Sequence, residues 1–136
     1  MKKQPAFSRI KGSITAPRGF RAAGISAGIK PSGRKDMALI VSDVPATAAA
    51  VFTTNKVKAA PVHVSQQHAR GGAGRAIIAN SGNANACTGD DGMFHALAMT
   101  EAVARRIGCP SQQVFVCSTR SEEHTSELPS PCNLVC

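Results

Sequence analysis

The residues best able to do chemistry gather in two places. One is the run NSGNANACTGDDG, Asn80 to Gly92, where small and amide side chains separate a short apolar stretch from a longer periodic one. Backbone N–H groups at such a strand-to-helix junction can converge on an anion. The run lacks G-x-G-x-x-G spacing and a G-K-[ST] ending, so neither nucleotide fingerprint applies. Its Gly and Asn serve equally to turn the chain and let it approach a neighbour closely. Cys87 could act as a nucleophile, but His63, His68 and His95 stand at no spacing that selects a base, and a free structural thiol is the simpler reading. Ser42 and Ser81 fall near strand ends without the G-x-S-x-G elbow of a serine hydrolase. The second place is VFVCST, Val114 to Thr119, an apolar run that closes on two hydroxyls.

These residues need elements to hold them. The continuous apolar run Met37 to Val41, inside DMALIVSD, predicts a buried strand. After a turn at Pro45 and Ala46, TAAAVFTTN (Thr47 to Asn55) predicts a second strand, antiparallel because the connection is short. The Gly/Ala-rich stretch GSITAPRGFRAAGISAGIK ahead of them predicts only a turn leading into strands. Pro61 suits the first turn of a short helix. RAIIAN, Arg75 to Asn80, predicts a third strand. Asp90 or Asp91 is the expected N-cap of a helix whose apolar positions Leu97, Val103, Ala104 and Ile107 lead to a stop at Gly108. QVFVCS then predicts a fourth strand. The order β, β, α, β, α, β gives a mixed α+β (α/β) layered domain, and a chain ending after that fourth strand is expected to leave a sheet edge unpaired and to dissolve poorly.

Composition narrows the functions. At 136 residues there is room for one domain, and with five Phe and no Trp or Tyr a site built on stacked aromatics is unsupported. The net charge of +8 is uneven: residues 1–119 carry 15 Lys/Arg against 5 Asp/Glu, and the tail carries one Arg against three Glu. The positives are scattered without the aromatic interleaving of single-strand binders, which favours a solvated surface over nucleic-acid binding. The alternative function is nonetheless a small basic anion- or nucleic-acid-binding module using the Asn80 to Gly92 loop. Five cysteines without a CxxC pair or His at ligand spacing support neither zinc nor a disulfide framework, and an odd count fits a reducing, cytoplasmic setting. No secretory or membrane-spanning apolar run is present. The first acid is Asp36, after nine Lys/Arg, a bias also seen in transit peptides.

APRGFRAAGISAGIK, KDMALIVSDVPATAAAVFTTNKVKAAPV, IIANSGNANACTG and VFVCST, in that order and spacing, resemble the N-terminal part of the ornithine acetyltransferase family, also called glutamate N-acetyltransferase. The resemblance covers about Ala16 to Thr119, so the basic start need not be a transit peptide. It implies a layered α/β sandwich with two packed β-sheets, here truncated. It also implies autocatalytic cleavage in mid-chain to expose an N-terminal Thr nucleophile whose own amino group serves as base. Acetyl would pass from N-acetylornithine to that Thr and on to glutamate, in arginine biosynthesis, without metal or redox cofactor; some members also take acetyl-CoA. By resemblance, Thr119 supplies half of the oxyanion hole. Its expected partner Gly is replaced by Arg120, and a side chain there hinders close backbone approach. The nucleophile and the rest of the site would belong to a missing C-terminal part of the same chain. Ala46-Thr47, the one Ala-Thr pair, sits in the wrong segment to be that nucleophile.

Residues 1–119 therefore read as the N-terminal portion of the acetyltransferase domain. Residues 120–136 read as a non-native, disordered tail, because Arg120 to Leu128, RSEEHTSEL, resembles the forward translation of a common sequencing-library adapter. Pro129 and Pro131 and the lack of a periodic apolar face fit no packed element.

Overall fold

A computed structural model describes residues 11–118. After a 3-10 turn, Ser13–Thr15, come β1 (Phe20–Ile25), β2 (Met37–Thr47), α1 (Ala60–Ala69), β3 (Ala73–Asn80), α2 (Gly89–Ile107) and β4 (Val114–Ser118), with a second 3-10 turn, Ser111–Gln113, leading into β4. The strands form one mixed sheet in the order β1-β2-β3-β4. The first two pairings are antiparallel and β3 runs parallel to β4, with α2 as the crossover between them. This is the mixed α+β architecture that the sequence implies; the described residues form one sheet, carrying both helices on one face.

Alternation explains which face. On β3, Ala76 and Ile78 are buried, and on β4, Val114 and Val116. They join Val41, Val64, Ala96 and Ala104 in the core, with Met37, Leu39 and Ile107 packed around it. The buried line on α2 is Ala96, Thr100 and Ala104, small residues four apart that bring the helix close to the sheet. Leu97, read from the sequence as part of this stripe, is 39% exposed. The opposite sheet face bears Phe20, Ile40, Ile77 and Phe115 along an apolar groove of about 610 Å³, bordered by the segment 46–52.

Three sequence expectations need correction. The segment Thr47 to Asn55 is not a strand: β2 ends at Thr47 and the chain from Ala48 onward is irregular, with Val51 92% exposed. Its β-branched residues favour a strand, but no neighbour pairs with them. β2 instead runs straight through Pro45, because its pairing to β3 is interrupted by a bulge between Val41 and Ala46, where a missing N–H costs no ladder bond. The stretch read as a turn contains β1, whose FRAAGI has no apolar run and is held by full register against β2, from Phe20 opposite Ser42 to Ile25 opposite Met37.

The third correction concerns the sheet edge at β4. Ser65 of α1 donates its hydroxyl to the Val116 carbonyl at 2.8 Å and accepts the Val116 N–H at 3.0 Å, as a neighbouring strand would. His68 Nδ1 bonds the Val114 carbonyl at 2.8 Å. Both side chains are buried. Two polar side chains one helical turn apart thus satisfy the outward backbone of the edge strand, so β4 offers no open ladder at these groups.

Ser65→Ala leaves the buried Val116 N–H and C=O without partners and is expected to lower stability by about 1–3 kcal/mol, with His68→Leu acting in the same direction. Urea denaturation of the chain checks this; unchanged midpoints for both variants would contradict the edge-capping role.

Candidate functional site at the strand ends

β1, β2, β3 and β4 meet at one edge of the sheet, where Ile25 stands opposite Met37, Met37 opposite Asn80 and Asn80 opposite Ser118. Because β3 and β4 are parallel, both deliver their C-terminal residues there, the place where open α/β sheets take ligands. Two connecting segments, 26–36 and 81–88, crown this edge.

The first segment is organised by a carboxylate. Asp36 is 2% exposed, and its oxygens accept the backbone N–H groups of Ala27 (2.6 Å), Ile29 (2.7 Å) and Lys30 (2.9 Å). Those bonds, Ala27 first, hold its carboxyl below the usual carboxylate range, against the opposing effect of burial. The Asp36 N–H donates to the Ile25 carbonyl, and its carbonyl accepts the Ser81 N–H, so one residue joins both segments. In the sequence Asp36 is legible only as the polar boundary of an apolar run; nothing local announces three donors.

The second segment is closed by amides. Asn80 Nδ2 donates to the Asn83 carbonyl at 3.0 Å, and Asn85 Nδ2 to the Gly92 carbonyl at 2.7 Å. Thr88 Oγ1 donates to Asn85 Oδ1. Gly92 is buried so close to Thr88 and Asn85 that any Cβ would collide with both. Across the strand ends, Ser118 Oγ donates to Asn80 Oδ1 at 2.6 Å.

The N-cap expected at Asp90 or Asp91 is another correction. The helix begins at Gly89 with Thr88 in the cap position, and both acids lie in its first turn, exposed, where their charge complements the helix dipole. Gly108 ends the helix as expected, left-handed at φ 68°, its N–H on the Ala104 carbonyl. Two carboxylates already occupy the positive end of α2, and the side-chain amides of Asn80 and Asn85 are spent on closing the loop itself. The reading of Asn80 to Gly92 as an anion- or nucleic-acid-binding module is therefore unsupported.

The other candidates scatter. Cys87 is exposed with a left-handed φ of 58°, whereas His68 is buried against β4 and His95 lies beside Phe94, with ring centroids 5.8 Å apart. Ser42 is buried and donates to the Val44 carbonyl, and the Ser81 N–H is tied to Asp36. Thr47 ends β2 at the opposite edge from Ser118. Thr119 and Arg120 lie outside the described residues. Among the described residues no three His, Cys, Asp or Glu gather as metal ligands, and no helix is long and apolar enough to cross a membrane.

The profile of the ArgJ family matches residues 21–121. The chain belongs to the ArgJ family. A relative from Synechococcus sp., the arginine biosynthesis bifunctional protein ArgJ, is 54% identical over 117 residues, which are 85% of this chain and 28% of that protein. The ArgJ protein of Geobacter sulfurreducens is 56% identical over 102 residues, 75% of this chain and 26% of its own. The chain thus spans about a quarter of the length of these curated ArgJ relatives. Among solved structures, ArgJ from Bacillus halodurans superposes with a TM-score of 0.76 at 44% identity, over 80% of this chain and 58% of that one. Ornithine acetyltransferase from Mycobacterium tuberculosis, solved in complex with ornithine, gives 0.75 at 50% identity, over 79% and 58%. The family read from NSGNANACTG and VFVCST is the one these ArgJ matches show.

Two variants test the crown. Gly92→Ala is expected to cost about 1–3 kcal/mol in denaturant, because its Cβ displaces Thr88 and Asn85. For Asp36 the folded pKa lies below the model-compound value of 3.8, so its stabilising effect is present above that pH and is lost as pH falls through the folded value. Wild type should therefore exceed Asp36→Asn in thermal midpoint at neutral pH, by a margin that shrinks on acidification below about pH 4; a margin independent of pH would contradict this.

Proposed function

We propose that this chain is the N-terminal segment of an enzyme that moves acetyl from N-acetylornithine to glutamate in arginine biosynthesis. The observation that carries the reading is a family match running through the end of β4, where β3, which leads into the NSGNANACTG segment, pairs with the VFVCS strand. The relatives' names give arginine biosynthesis and ornithine acetyl transfer, and one was solved holding ornithine. The alternative anion- or nucleic-acid-binding module has no observation in its favour.

In this reading a Thr from the missing C-terminal part attacks the acetyl carbonyl. Its hydroxyl proton passes to its own α-amino group, ornithine departs with a proton, and the glutamate amine then attacks the ester to regenerate the Thr. The charge that builds on the carbonyl oxygen needs donors fixed in advance. Thr119, following Ser118 directly, is assigned as one of them; Arg120 stands where the family's second donor, a Gly, is expected. Mid-chain cleavage is supported by lengths: alignments of similar size cover 58% of the solved chains but only 28% and 26% of the curated ones, so the solved chains are about half as long. The apolar face of Phe20, Ile40, Ile77 and Phe115 is the surface on which a second sheet from that missing part would pack. Cys87 and Cys109, neither in a disulfide, accord with a cytoplasmic setting. We read residues 120–136 as adapter-derived; codons for Arg120 to Leu128 that differ from the adapter at several third positions would overturn that part.

The chain alone is expected to show no transfer from N-acetylornithine to glutamate, and the complete enzyme, with Gly at position 120 and its downstream Thr, to turn over without added metal. Release of ornithine and formation of N-acetylglutamate, followed by chromatography, check both. Turnover by the chain alone, or none by the complete enzyme, would contradict the reading.

A further inference from the structure

We propose that the outer edge of β1 accepts a further strand from the missing C-terminal part of the same protein, an inference that rests on reading this chain as the N-terminal segment of a longer enzyme. The two edges of the sheet are finished differently. At β4, Ser65 and His68 take up backbone groups of Val114 and Val116. At β1, no side chain among the described residues does the same.

The direction of each β1 backbone group follows from the two ends of the strand. Gly19 turns its carbonyl to the Asp43 N–H (2.8 Å) and Ile25 turns its own to the Asp36 N–H (3.0 Å), both on the β2 side. Along an antiparallel strand each residue presents its N–H and C=O to one side, and the side alternates. Arg21 and Ala23 therefore face β2 with Gly19 and Ile25, whereas Phe20, Ala22 and Gly24 present both groups outward. No described residue bonds these outward groups.

Such an edge is normally blunted by a lysine, a proline or a bulge. β1 has none of them. Its register against β2 is continuous from Phe20 to Ile25, and its one charge, Arg21, is held by Asp43 at 2.8 Å. The side chains leave room as well. Ala22 and Ala23 are small and exposed, and Ile25 is 56% exposed, because α1 and α2 lie over β3 and β4 and leave this end of the sheet uncovered.

Two observations name the occupant. The segment shared with this chain is 28% and 26% of the length of its ArgJ relatives, so most of each relative lies outside it. Phe20, at the start of β1, also lines the apolar groove on which that remaining part is expected to pack, so edge and groove form one continuous surface. A strand added there turns β1 from an edge into an interior strand and satisfies Phe20, Ala22 and Gly24.

The test is amide hydrogen exchange along β1, resolved by residue, in this chain alone and in the complete enzyme. In the chain alone, the N–H groups of Arg21, Ala23 and Ile25 should exchange slowly and those of Phe20, Ala22 and Gly24 fast. In the complete enzyme the second set should slow by about a hundredfold or more, as bonded strand amides do, at every protein concentration. Ala22→Pro, which removes an outward N–H and leaves the β2 ladder intact, should lower the thermal midpoint of the complete enzyme. If the chain alone precipitates, the exchange and the proline variant of the complete enzyme decide. Outward amides that stay fast in the complete enzyme, or an unchanged midpoint for Ala22→Pro, overturn the inference. So does protection already present in the dilute chain, which would come from its own residues, or protection lost on dilution of the enzyme, which would come from a second copy. An active enzyme with fast outward amides overturns this inference alone; a complete enzyme without acetyl transfer overturns the functional reading and leaves the exchange result to stand or fall by itself.

Discussion

A parallel strand at the edge of a sheet has to satisfy a row of backbone groups that no further strand accepts, and β4 solves this through α1. Ser65 exchanges two hydrogen bonds with Val116, and His68 takes the Val114 carbonyl. Because these are side-chain bonds at fixed helical positions, they set the rotation of α1 and its height along the strand together. Val64, directly before Ser65 in sequence, is then buried in the core. α2 closes over the same face through Ala96, Thr100 and Ala104. The placement of Ser118, and with it whatever follows, depends on this docking of helix against strand edge.

The far end of the sheet shows how the same economy of polar groups makes a site. Asp36 would be costly as a buried, unpaired charge, yet with three backbone donors it becomes the fixed point of two connecting segments. The amides of Asn80 and Asn85 close the second segment on itself. With those amides committed to its own carbonyls, such a loop leads into a helix whose first turn already carries two carboxylates, which oppose an anion there. It is well suited to holding a neighbouring strand end still.

The sequence makes the core legible wherever burial dominates: RAIIAN, VFVCS and the stretch around Pro61 form the expected elements, and the family is written in NSGNANACTG. It misleads where tertiary pairing overrides local preference. β1 has no apolar run because its neighbours, and not its own side chains, hold it in the sheet. Thr47 to Asn55 has β-branched residues but no partner strand, and Pro45 is admitted by a bulge that no composition rule reveals. At the site, the loop was visible as a Gly/Asn-rich turn. Its internal bonds, the carboxylate of Asp36 and the pairing of Asn80 with Ser118 join residues distant in the chain, so only the fold brings them together.

The central claim is that the working edge of this domain is the one where β3 ends at Asn80 beside β4. A structure of the complete enzyme trapped with its acetyl group or with bound ornithine tests it most directly. The account places the ligand at that edge, beside the segments 26–36 and 81–88. A ligand seated instead in the groove between Phe20 and Phe115, or at the opposite edge near Thr47, would contradict it.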